Sequence, residues 1–255
     1  MLRLTFFLIL SFLPFSPGAS GATRAELRYT PAFDQLACPH PDRIGPLESD
    51  ELRALLPSLQ RALDRQQETL FDAAERLIGT KMARKEETVS LFLCRDFPAM
   101  ANPLLIWGYP FLKSARPAGP LDVTAIGAIV FHEVLHLYVD DLMAGRPTSP
   151  GLEKHQTESQ LVRVHLHLFA IEDQVYRSLD PTGALLAAAR QLDESYGPDY
   201  VRAWQIVTQD GSEPWIRELR PQKARGGSLN LPRFEKSSAS SSPPPRCRSR
   251  CDSRA

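Results

Sequence analysis

The 255-residue sequence has no net charge, only four cysteines and, after residue 22, no apolar run long enough to span a membrane. Thirty basic residues balance thirty acidic ones, but the charges are unevenly distributed along the chain. Residues 222–255 carry eight basic and two acidic side chains, and residues 1–22 carry only Arg3, so residues 23–221 have a net charge of −7. Nucleic-acid binding requires clustered Lys and Arg side chains. The acidic middle segment therefore argues against a nucleic-acid partner.

The first 22 residues have the composition of a secretory signal peptide. Arg3 supplies a basic start, Leu4 to Phe15 is mostly apolar, and small residues at 20–22 predict cleavage before Thr23. An uncleaved anchor is the alternative, but the apolar run is shorter than the roughly 20 residues that span a bilayer. We therefore expect a secreted or periplasmic protein with no stable membrane insertion after cleavage.

Two of the four cysteines, Cys38 and Cys94, lie in the middle segment. Disulfides persist in oxidising compartments, so export predicts a Cys38–Cys94 bridge, which the chain-entropy model values at roughly 4 kcal/mol. Two buried free thiols are the alternative. Cys247 and Cys251 lie among Pro, Arg and Ser residues with no histidine nearby, and we assign them no role.

Three segments follow from the composition: a signal peptide (1–22), one globular domain (23–221) and a basic tail rich in Ser, Pro and Arg (222–255). The tail has too few apolar residues to offset the entropy of ordering, so we predict that it is disordered.

Hydrophobic periodicity predicts a helix-rich α+β domain with a small early sheet. Apolar residues recur at helical intervals between Leu47 and Ile78 and again from Asp122 to Met143. Strands are predicted at Thr88–Cys94 and Leu104–Tyr109, and prolines border the second as they do in edge strands. Further helices are predicted near residues 153–178, 182–195 and 199–208.

The chemically informative motif is His132-Glu133-Val134-Leu135-His136, an HExxH sequence. Residues four apart share a helix face, so both imidazoles can bind one ion while Glu133 addresses a metal-bound water. A zinc ion with three protein ligands keeps a position for that water and lowers its pKa to about 7. The flanking residues are mostly apolar, and burying two histidines and a glutamate among them without partners is unfavourable. The motif therefore predicts a Zn²⁺ site.

This motif resembles that of the zincin metallopeptidases. The resemblance implies a small sheet, an active-site helix and a later helix that supplies the third zinc ligand. Val139 and Leu142 occupy the positions where the metzincin extension has glycine and histidine, so that subgroup is excluded. The segments His165-Leu166-His167 and Arg202-Ala203-Trp204 are similar, more diffusely, to secreted metallopeptidases of unassigned substrate.

The third ligand is expected on the helix predicted near residues 153–178. Glu158, 22 residues after His136, is similar to the glutamate ligand of gluzincins. Val162, however, stands four residues later, where gluzincins often have an aspartate that supports a zinc ligand without binding the ion. His165 lies on the same predicted helix face about 10 Å further along, so only one of the two can bind the ion. Glu158 is our first choice and His165 the alternative; the remaining candidates are His155, His167 and Glu172.

Several residues are candidates for supporting roles. Asp140, one turn after His136, can orient that imidazole by accepting a hydrogen bond from it, as carboxylates do for ligating histidines in many zinc sites. Tyr138, Tyr176 or a non-ligand His165 can donate a hydrogen bond to the oxyanion of a tetrahedral intermediate.

The sequence as a whole predicts a secreted zinc-dependent hydrolase, and more specifically a peptidase that acts on peptide or protein substrates with Glu133 as general base. The predicted edge strand can hold an extended substrate by backbone pairing. The alternative is a non-catalytic secreted binding or structural protein on a degenerate zincin scaffold.

Overall fold

A computed structural model describes residues 23–38, 44–83, 86–94, 101, 103–114, 119–144, 146 and 149–221. The predicted signal peptide and the predicted basic tail, including Cys247 and Cys251, lie outside the described residues. Within the described part of the chain, no helix combines the length and the apolar composition needed to cross a membrane.

A small parallel sheet lies early in the chain, as expected. It consists of β1 (Arg24–Tyr29), β2 (Glu86–Phe92) and β3 (Leu105–Trp107), in the order β1-β2-β3. The strand predicted at 88–94 is confirmed as β2. The strand predicted at 104–109 is present as β3, an edge strand of this sheet, but it is shorter than predicted because Tyr109 belongs to a 3-10 helix. The sequence analysis missed β1, although its exposed and buried residues alternate as in a half-buried strand.

A disulfide between Cys38 and Cys94 confirms the predicted bridge. Cys38 immediately follows α1 (Pro31–Ala37), and Cys94 lies just beyond the end of β2. Their Cα atoms are 5.3 Å apart, and both side chains are buried in a small cluster with Phe92. The bridge therefore ties the first helix to the central strand of the sheet.

Most of the domain is helical. In chain order, α1 is followed by α2 (Pro46–Asp64), α3 (Gln67–Ile78), a short 3-10 helix (Tyr109–Phe111) and α4 (Ala125–Met143). The later helices are α5 (Pro150–Lys154), α6 (Gln160–Leu179), α7 (Ala184–Glu194), α8 (Pro198–Asp210) and α9 (Ser212–Leu219). The single helix predicted near 153–178 is wrong, because α5 and α6 are separated by a turn at residues 155–159.

Helix α6 is the central element of the helical part. It packs against α3, α4, α7, α8 and α9. On α6, Phe169 stacks on Trp204 of α8 with ring centroids 4.4 Å apart, and both side chains are fully buried. Helix α4 is buried around most of its circumference, with Phe131 packed 6.0 Å from Phe71. This packing holds α4 and α6 side by side, and the candidate site lies between them.

Candidate metal centre

The HExxH residues lie in the middle of α4. The helix follows Thr124, whose backbone N–H and side-chain hydroxyl donate to Asp122 Oδ1 at 2.8 and 2.7 Å. It then continues unbroken to Met143, so His132 and His136 share one face as the motif predicts. Their ring centroids are 5.1 Å apart.

His165 of α6 joins these two histidines. Its ring centroid lies 5.2 Å from that of His132 and 4.8 Å from that of His136. One ring nitrogen from each of the three residues lies within 4.8 Å of the other two. A cluster of three imidazoles at this separation has the composition of a zinc site with an open fourth position.

The tautomer of His165 is set by the backbone carbonyl group of Leu161. Nδ1 donates a hydrogen bond to the Leu161 carbonyl oxygen at 2.6 Å, because a carbonyl can only accept. Nε2 therefore carries a lone pair, and this atom is buried without a hydrogen-bond partner. A buried polar atom without a partner is unfavourable, and a metal ion bound there would satisfy it.

The electrostatics keep His136 and His165 neutral. Burial lowers the pKa of His136 well below its ordinary value, and the neighbouring His132 and His165 lower it further. Burial, together with His132, lowers the pKa of His165 to about 3. A neutral imidazole is the form that binds a metal ion, so the residues present fit Zn²⁺.

Glu158, our first choice for the third ligand, lies elsewhere. Helix α6 begins at Gln160, after the N-cap Ser159. Glu158 therefore precedes the helix and does not lie on the helix face that carries His165. Glu158 Oε1 accepts hydrogen bonds from Arg202 Nε at 3.1 Å and from an Arg202 terminal nitrogen at 2.6 Å. These hydrogen bonds lower the pKa of Glu158. The geometry therefore groups His165, the stated alternative, and not Glu158 with His132 and His136.

The other two candidate histidines have separate partners. His155 Nε2 lies 2.9 Å from Asp210 Oδ2, in the turn after α5. His167 Nε2 lies 2.9 Å from Glu218 Oε2 of α9. Neither residue belongs to a group of potential metal ligands among the described residues.

Glu133 is buried on the wall of the same cavity as the three histidines. Burial raises its pKa, the Asp193 carboxylate raises it further, and His132 opposes both effects. A carboxylate with a raised pKa is a stronger proton acceptor than an exposed one, so Glu133 has the character of a general base.

Two buried carboxyl groups lie on the other side of His132. Its Nδ1 is 3.3 Å from Glu172 Oε1 of α6 and 3.6 Å from Asp193 Oδ1 of α7, although neither contact has hydrogen-bond geometry. Trp204 Nε1 donates to Asp193 Oδ2 at 3.1 Å. Burial raises the pKa of both carboxyls well above the usual range, and Asp193 is raised further by Glu172.

Glu172, one of the minor third-ligand candidates, thus groups with His132 and Asp193 rather than with the three histidines. A carboxyl beside the second nitrogen of a ligating histidine fixes its orientation and raises its basicity. The sequence analysis missed Asp193, and no motif or spacing marks this residue.

The predicted supporting residues are placed differently. The Tyr138 hydroxyl donates to the Thr80 carbonyl oxygen at 2.6 Å, and so is already engaged. The Tyr176 hydroxyl is buried without a hydrogen-bond partner, but Tyr176 packs edge-on against Phe131 and does not line the cavity. Asp140 is exposed at the cavity, and no hydrogen bond joins it to His136 within the described chain.

Tyr200 of α8 is a cavity residue that the sequence analysis missed. Its ring centroid lies 4.5 Å from His165 and 6.2 Å from His132. Burial, followed by the Glu133 carboxylate, raises its pKa to about 12, so the hydroxyl keeps its proton at neutral pH. Tyr200 is therefore better placed than Tyr138 or Tyr176 to donate to an oxyanion.

These residues line a cavity of about 900 Å³. Its rim includes Trp107 at the end of β3 and three partly exposed apolar side chains, Leu161, Val164 and Tyr196. The cavity is large enough for several residues of an extended chain.

Comparison of the chain with protein-family models, with curated proteins and with solved structures finds no match. The functional argument therefore depends on the residues and the geometry described above.

Proposed function

We propose that this protein is a secreted zinc-dependent hydrolase, and more specifically a peptidase. The observation that carries the proposal is the buried, unpartnered Nε2 of His165 beside His132 and His136. Three imidazoles in a cavity, with the Glu133 carboxylate on the same wall, have the composition of a hydrolytic zinc site.

His132, His136 and His165 would hold the ion. When bound, Zn²⁺ supplies a lowered pKa for a water molecule and polarises the carbonyl oxygen of the substrate. The Glu133 carboxylate takes a proton from the attacking water and later passes it to the leaving amine. The Tyr200 hydroxyl donates a hydrogen bond to the oxygen that becomes negatively charged. Glu172 and Asp193 lie beside His132 Nδ1, at 3.3 and 3.6 Å, where a carboxyl group can orient a ligating imidazole once the ion is bound.

A peptide substrate is supported by the surroundings of the cavity. Trp107 lines it and belongs to β3, an edge strand of the sheet that the described residues form, and an edge strand can pair with an extended backbone. Secretion is supported by the Cys38–Cys94 disulfide, since such bridges are typical of oxidising compartments.

The test compares Glu133→Gln with the wild-type chain, using the surface substitution Glu213→Gln as a matched control. We expect about one zinc per chain in all three proteins, measured by elemental mass spectrometry. Cleavage of a peptide library should fall by roughly 10²- to 10⁴-fold in Glu133→Gln only, because the proton acceptor is lost. Equal cleavage by Glu133→Gln at equal zinc content would refute the mechanism. Zinc without any cleavage by the wild type would favour a non-catalytic binding protein.

A further inference from the structure

Arg163 is the only Lys or Arg among the described residues that line the cavity. Its Nε is buried without a hydrogen-bond partner, and its guanidinium forms no ion pair within the described chain. Three other arginines of α6, α7 and α8 are paired: Arg177 with Asp173, Arg190 with Glu194 and Arg202 with Glu158. Arg163 is therefore a cation at the cavity that no described acidic residue pairs with, and its Nε donor is unused.

The buried Nε of Arg163, which has no hydrogen-bond partner, is unfavourable in the free protein. Arginine stays charged at every physiological pH, and a buried donor without a partner loses the hydrogen bonds it had with water. The acidic residues that line the cavity are Glu133, Asp140 and Asp193, and none of them forms an ion pair with Arg163. A carboxylate matches the planar donors of arginine with two parallel hydrogen bonds.

Helix geometry separates Arg163 from the metal site. Arg163 and His165 are two residues apart on α6, so their side chains leave the helix about 200° apart. Leu161 and Val164, which are 43% and 42% exposed, lie between them on the surface facing the cavity. A substrate that extends from the metal site to Arg163 therefore passes over these apolar side chains.

We infer that Arg163 binds a carboxylate of the substrate, with apolar substrate side chains between this carboxylate and the reacting carbonyl. The inference rests on the proposed function for the position of the reacting carbonyl. The carboxylate is either the C-terminus of a peptide or an acidic side chain.

Binding of three probes tests this inference. They are N-acetyl-Leu-Leu-Leu with a free C-terminus, its C-terminal amide, and N-acetyl-Leu-Leu-Glu-amide. Binding is measured by calorimetry, with and without zinc. All proteins carry the Glu133→Gln substitution, which prevents cleavage of the probes. Arg163→Gln is compared with Arg177→Gln, a substitution of an exposed arginine on the same helix.

At least one carboxylate probe should bind 10-fold or more tightly than the neutral amide, and the stronger of the two identifies the source. Arg163→Gln should abolish this preference without weakening the binding of the neutral amide, whereas Arg177→Gln should retain it. Arg163→Lys should restore part of the preference, because it keeps the charge but not the two parallel hydrogen bonds.

A preference that persists in Arg163→Gln, or that disappears when zinc is removed, would overturn the inference, since the metal would then be the carboxylate receptor. The absence of any preference would overturn it too. Failure of the proposed function is separate: it appears as a chain without zinc, in which the carboxylate preference can still be measured.

Discussion

Replacing His165 tests the third ligand directly. We expect His165→Ala to lower zinc affinity by more than 100-fold, which corresponds to about 3 kcal/mol of binding free energy. Loss of a residue that only orients a ligand costs 10- to 100-fold in metal affinity, so loss of a ligand should exceed that range. His165 Nε2 is buried beside His132 and His136 and has no hydrogen-bond partner. Among the described residues, no further side chain belongs to the group of His132, His136 and His165, so none takes its place as a ligand.

Glu158→Ala should leave zinc affinity within about 3-fold of the wild type. Its carboxylate accepts hydrogen bonds from Arg202 in the turn before α6 and does not group with the three histidines. His155→Ala is a second control, because it removes an imidazole that lies beside Asp210 instead.

The assay is competition between each variant and a chromophoric zinc chelator at pH 7.5. Urea unfolding of the metal-free variants establishes that a loss of affinity is not a loss of folding. Zinc binding lost in Glu158→Ala and kept in His165→Ala would refute the assignment. Equal retention by both variants would reject the three-histidine site.

Two further predictions concern the surroundings of the ligands. Glu172→Gln should weaken zinc binding 10- to 100-fold while one zinc still binds at saturation, because its carboxyl orients His132; unchanged affinity in the same competition assay would remove that role. Metal-free protein should lose stability as pH falls from 6.5 towards 3, because the pKa of His165 is lowered to about 3 in the folded state, which then binds fewer protons than the unfolded state. Urea unfolding should show that lowering the pH from 7 to 5 costs the wild type about 2 kcal/mol more than it costs His165→Gln, and an equal response of the two would contradict this.

The elements that could be predicted are those with a strong local pattern. Strands β2 and β3 appear in the sequence as apolar runs bounded by charged residues or prolines, and both are present. Strand β1 was missed, although its residues alternate between exposed and buried. The helix predicted near 153–178 extended the apolar pattern through residues 155–159, where the Ser159 cap starts a new helix.

The local sequence determined the first half of the site. The four-residue spacing places His132 and His136 on one face of α4 because an α-helix repeats every 3.6 residues, whatever surrounds it. Only the tertiary structure decided the other half, namely His165, Asp193 and Tyr200. These residues come from α6, α7 and α8, and their proximity results from the packing of α6 against its neighbouring helices, which no spacing in the sequence encodes.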